Sequence, residues 1–126
     1  MNENSLSKII LDAAFDIHKK LGPGLLESVY EEVMYYELTN KYGLFVQRQE
    51  LIPVTWKNVK MELGFRADLI VENEVLVELK SVESLAAVHP KQVLTYLKLT
   101  GLRLGLLLNF NEALLKNGIK RIANNL

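Results

Sequence analysis

Cysteine is absent from the chain, and histidine occurs only twice, at His18 and His89. The first absence excludes a disulfide framework and any cysteine–zinc site, and it fits a reducing, cytoplasmic setting. The second excludes a histidine-rich metal centre. Net charge is missing as well, because 15 basic residues balance 15 acidic ones. Overall charge therefore does not advertise a nucleic-acid binder, and such a role needs a local basic patch. The N-terminal stretch MNENSLSKII lacks a cationic start followed by an apolar core, so no signal peptide is expected. No apolar run approaches the roughly 20 residues of a membrane helix, and no membrane partner is expected. Repeats, linkers and low-complexity segments are also lacking.

What remains is 126 residues, 49% hydrophobic and 24% charged. That is the size of one domain with a real core, so a single domain over residues 1–126 is expected. Leu6, Ile9, Ile10, Ala13, Ile17 and Leu21 recur at helical spacing and predict a helix over residues 5–20. LGPG ends it, and a second helix is predicted over residues 25–41, stopped by Gly43. From Leu44 to Val82 β-branched and aromatic residues dominate. With turns at Lys57-Asn58 and Glu72–Glu74, they predict a three-stranded antiparallel meander. Pro53 makes the first strand an edge strand, or one bulged there. A third helix is predicted from His89 to Gly101, then a strand from Arg103 to Phe110 that returns beside its predecessor. A turn of helix and a short last strand follow. The order is α-α-β-β-β-α-β, an α/β fold with a mixed central sheet flanked by helices.

The strand VENEVLVELK looks bound for the interior, yet it carries Glu78 and Lys80, two residues apart and so on one face. Closing the hairpin around Asn73 sets Val71 against Val75 and Asp68 against Glu78. Opposed residues have Cβ atoms roughly 4.5–5.5 Å apart, and like charges there destabilise a sheet. Helices over the sheet would desolvate the pair and make joint ionisation costlier. Lys80 offsets part of this. A hard divalent cation offsets more, since Mg2+ favours one or two carboxylates with waters and phosphate oxygens. The alternative is that these are solvated charges at a strand end, in a slipped register.

Asp68, nine residues, then Glu78-Leu79-Lys80 resembles the D…(D/E)-x-K signature of the PD-(D/E)XK nuclease superfamily. GLLESVY, with Gly24, Glu27 and Tyr30, is similar to the pattern that names the GxxExxY family of small bacterial proteins assigned to that superfamily. GFRADLIVE, VELKSVE, HPKQVLTYLKLTGL, GLLLNFN and GIKRI extend the likeness over most of the chain. The resemblance implies a restriction-endonuclease-like core and a Mg2+- or Mn2+-dependent nuclease. Nucleic acid, with DNA favoured, would be the substrate. It implies that Asp68, Glu78 and the Leu79 carbonyl bind the metal, with Glu27 as a further acid, and that Lys80 polarises the attacking water.

Gln92 and Tyr96, four apart on one helix face, resemble the Q-x-x-x-Y element of the RecB-like branch. There the glutamine reaches the active site and the tyrosine the nucleic acid. Arg66, Lys91 and His89 are further candidates for nucleic-acid contact, with a capping or turn role equally open for His89. Glu27 alone could be a favourable charge at a helix start, worth about 0.3–1 kcal/mol. Tyr30 is expected to pack or to orient Glu27, and His18 to lie on the surface. Two other functions stay open: a non-catalytic nucleic-acid- or partner-binding module on the same fold, and a structural protein in which Asp68, Glu78 and Lys80 form an ion-pair cluster. Self-association into a homodimer is compatible with the small size.

Overall fold

The computed structural model describes residues 1–126. Helix α1 spans Glu3–Leu21 and α2 spans Glu27–Tyr36, prolonged by a π-helical turn over Glu37–Lys41. Strands β1 (Val46–Trp56), β2 (Val59–Val71) and β3 (Val75–Lys80) follow, then α3 (Val88–Thr100) and β4 (Leu104–Asn109). A 3-10 turn (Leu115–Gly118) leads into β5 (Ile119–Ala123). The sheet order is β1-β2-β3-β4-β5, antiparallel except for the β3–β4 pair. That pair is parallel because α3 carries the chain back across the sheet before β4 starts.

Local chemistry explains the boundaries. Asn2 caps α1 by accepting from the Ser5 N–H at 2.8 Å, and Gly22 ends it at φ 73°. Lys57 and Asn58 both take positive φ, 50° and 65°, as a two-residue hairpin turn requires. β1 is the sheet edge, and its register with β2 shifts between Pro53 and Thr55, where proline cannot donate to a ladder.

Two layers of core enclose the sheet. Leu6, Ile10, Tyr30 and Met34 of α1 and α2 pack on Val75, Val77, Leu79, Leu106 and Leu108. Val93 and Leu97 of α3 pack on Ile52, Ala67, Ile70, Leu76 and Leu107 of the opposite face. No helix is long and apolar enough to cross a membrane.

Two expectations need correction. The second helix is not regular over residues 25–41. Its last turn widens where Thr39 Oγ1 and Asn40 Nδ2 donate to the Tyr35 and Tyr36 carbonyls, competing with the backbone ladder. His18 is buried rather than on the surface, with Nε2 2.8 Å from the Glu112 carbonyl, because the loop after β4 folds over the end of α1.

α3 lies directly over Gly105 of β4, where an added Cβ would stand 2.5 Å from Val93 Cγ1. Gly105→Ala should destabilise the fold by about 1–3 kcal/mol through overpacking. Urea unfolding of the two proteins measures it.

Candidate active site

The β2–β3 ladder runs through Val71↔Val75, Ile70↔Leu76 and Leu69↔Val77, and then stops. The next pair in that register is Asp68 and Glu78. Their carboxylates take over the hydrogen bonds there. The Asp68 N–H donates to Glu78 Oε1 at 3.3 Å, and the Leu79 N–H donates to Asp68 Oδ2 at 2.8 Å. Beyond this point the strands part. β2 continues with β1 alone, and β3 continues with β4 as far as Lys80↔Asn109. The rotation of β2 shows in its neighbours. Leu69 lies in the α1/α2 core and Ala67 in the α3 core, although residues two apart on a regular strand share a face. The sheet is thus forked, and the carboxylate pair stands at the fork.

Glu78 is buried, and its carboxyl is pushed up to about 9, first by burial and then by the Asp68 charge beside it. Lys80 offsets this only weakly. It is half-buried and forms no salt bridge with either acid, so the three residues are not an ion-pair cluster. The Lys80 carbonyl accepts from the Phe110 N–H on the β4 side. The backbone of Leu79 therefore points the other way, into the fork.

The stretch before α2 is bound to the same place. Gly24 takes φ 97°. The buried Tyr30 stacks on Phe110 at 4.5 Å, donates its hydroxyl hydrogen to the Gly22 carbonyl at 2.6 Å and accepts from the Leu25 N–H. Ser81, just past Lys80, donates Oγ–H to the Leu25 carbonyl at 2.6 Å and N–H to Glu27 Oε2 at 3.4 Å. Glu27, the first residue of α2, is thereby aimed at the end of β3. It lines a cavity of about 370 Å³ with Ser28, Glu31, Gln49 and Asp68.

A family model described as the PD-(D/E)XK nuclease superfamily matches residues 4–122. The chain belongs to this superfamily. Neither the curated proteins nor the solved structures gave a match. Superfamily membership agrees with the three helices and the five-stranded mixed sheet, and it suggests nuclease activity on a nucleic acid.

Of the remaining superfamily-motif candidates, Tyr96 comes near the pair. Its ring stacks on Phe65 at 3.7 Å. Burial, then the charges of Glu78 and Asp68, hold its hydroxyl above the ordinary phenol range. Lys91 and Gln92, the fourth and fifth residues of α3, are exposed. Arg66 donates to the Gln49 carbonyl at 2.9 Å. His89 takes the turn role: its Nδ1 accepts from the Ala86 N–H at 3.1 Å.

Three residues at the fork escape sequence reasoning. Gln49 and Glu31 line the cavity. Asn109, fully buried, pairs its side-chain amide with both backbone groups of Val82 and so prolongs β3–β4 contact past Lys80. Glu31 was discoverable, being four residues after Glu27 on one helix face.

Nucleases of this superfamily are generally divalent-metal dependent. No three acidic or histidine side chains converge as a ready-made cage. The donors at the fork are two facing carboxylates, one of them buried without a cation, and a strand backbone turned toward them. That set fits Mg2+, which takes one or two carboxylates and keeps several waters.

The carboxyl at about 9 sets a pH dependence of folding. A folded-state value above the ordinary carboxylate range means that the folded protein holds this proton more tightly. The stabilisation is complete below about pH 4.5 and fades as pH rises toward about 9. In chelator, the wild-type melting temperature should fall across that window. Glu78→Gln, which mimics the protonated acid, should fall less. Equal slopes for the two proteins contradict the assignment.

Proposed function

We propose that the protein is a Mg2+- or Mn2+-dependent nuclease that hydrolyses phosphodiester bonds, with DNA the favoured substrate. The carrying observation is the carboxylate pair at the sheet fork, in which Glu78 is buried beside Asp68 and neither acid forms a salt bridge with a cation of the chain. The pattern formed by Gly24, Glu27 and Tyr30 supports placing it in the GxxExxY family, with Tyr30 holding the loop before Glu27 and the Ser81 N–H donating to the Glu27 carboxylate.

Asp68, Glu78 and the Leu79 carbonyl would hold the metal, and Glu27 would add a further acid. When bound, such an ion lowers the pKa of its water and neutralises phosphate charge. Lys80 is free of other partners, so its ammonium can orient the attacking water and meet charge that develops on phosphate oxygens. Tyr96, beside the pair, can donate its hydroxyl hydrogen to a phosphate oxygen or pack a sugar. Gln92, Lys91, His89 and Arg66 are the further side chains that could donate hydrogen bonds to the nucleic acid. With net charge zero, binding should be weak and salt-sensitive.

The balanced charge also favours a second reading, a non-catalytic binding module on the nuclease fold. Activity decides. With Mg2+ or Mn2+ the purified protein should cut at least one of linear, nicked, single-stranded or branched DNA, or RNA. Lys80→Ala should lose roughly 100-fold or more in rate, the scale of a positioned proton-transfer or charge-stabilising group, while melting in chelator like the wild type. No cutting by the wild type supports the binding module. Undiminished cutting by Lys80→Ala places the activity elsewhere.

A further inference from the structure

Gln49 breaks the rules of the strand that carries it. Its φ is 50°, and it is the one positive-φ residue inside a strand; the other non-glycine cases lie in turns or at the chain end. That region favours glycine and asparagine, not glutamine. The consequence is a reversal of faces along β1. Val46 packs in the α1/α2 core and Ile52 in the α3 core, although six residues of regular strand would leave them on the same side. Gln49 lies between the paired Arg48↔Leu69 and Glu50↔Ala67, opposite Asp68, where β2 reverses as well.

The reversal puts the Gln49 amide between two carboxylates. Its Nε2 donates to Glu31 Oε1 at 2.5 Å and to Asp68 Oδ1 at 3.1 Å. A primary amide has two hydrogens on nitrogen, and two flanking carboxylates can each take one, so chemistry fixes the orientation of the amide. Both ends of the arrangement are anchored. Glu31 is buried and held by the Arg48 guanidinium at 3.0 Å, and the Gln49 carbonyl accepts from Arg66 at 2.9 Å. On its other oxygen, Asp68 accepts from the Leu79 N–H. The Asp68 carboxylate is thus gripped on both oxygens, by an amide from β1 and a backbone N–H from β3.

We infer that Gln49 is a positioning residue for the metal site. Held by Glu31 and Arg48, it fixes the rotamer of Asp68 so that the remaining lone pairs point into the fork, and its strained backbone is the means of reaching there. The inference rests on the metal-dependent reading above. Groups that hold a metal ligand in place typically change affinity by about 10–100-fold when removed.

Two substitutions test it. Gln49→Asn suits the left-handed backbone better but has an amide too short to bridge Glu31 and Asp68. Gln49→Gly removes the amide and accepts the conformation freely. Calorimetric titration with MnCl2, and separately with MgCl2, should show both variants binding roughly 10–100-fold more weakly than the wild type. Gln49→Asn should melt in chelator within a few degrees of the wild type, so lost affinity is not lost fold. Wild-type affinity in both variants overturns the inference and leaves the metal reading standing. A wild type that binds neither ion overturns both.

Discussion

Asp68 and Glu78 face each other across a hairpin that hydrophobic burial has already fixed in register. Leu69, Val71, Val75 and Val77 are fully buried under α1 and α2 while Ile70 and Leu76 are buried under α3, so slipping by one residue would exchange the side chains that fill two differently shaped cores. The acids cannot escape that register. Were both ionised at about 5 Å, their repulsion at an effective dielectric near 20 would be about 3 kcal/mol. One ladder hydrogen bond contributes about 1 kcal/mol net. Repulsion therefore exceeds what the next rung of ladder could return, and the sheet opens at that pair. Two adjustments make the open state tolerable: the carboxylates accept the backbone N–H groups that the ladder abandons, and Glu78 keeps a proton.

An opened sheet end is useful only if it stays open in one shape. The tethers around the fork provide this. Tyr30 holds the loop before α2, Ser81 ties that loop to the end of β3, and Asn109 fixes the chain beyond Lys80. The Ser81 and Asn109 tethers link segments distant in sequence, and Tyr30 and Asn109 are completely buried. Glu27 therefore belongs to a preorganised wall, which is what a site needs if it is to bind a cation without rearranging.

The sequence made the β2–β3 half of the site legible because one hairpin decides it. Closing the hairpin around Asn73 sets Val71 against Val75, and Asp68 and Glu78 follow by counting. The β1 side was not legible, for a definite reason. Counted without a break from the turn pair Trp56↔Val59, β1 would set Gln47 against Asp68; the irregularity between Pro53 and Thr55 substitutes Gln49. Pro53 announces some irregularity, but not its size. The positive φ of Gln49 has no local signal either, since glutamine has no preference for it. His18 was misread because its cationic neighbours Lys19 and Lys20 suggest a surface, whereas the covering loop comes from the far end of the chain. In each case a contact distant in sequence overrode the local pattern.

The raised Glu78 carboxyl at the fork is the feature on which fold and chemistry meet, and site-resolved carboxyl NMR reads it directly. In chelator, the Asp68–Glu78 pair should show one titration step near pH 9, assigned mainly to Glu78. Saturating Mg2+ should displace that proton and move the step well below neutrality. A Glu78 that titrates in the ordinary carboxylate range in chelator, with no response to Mg2+, would contradict the account.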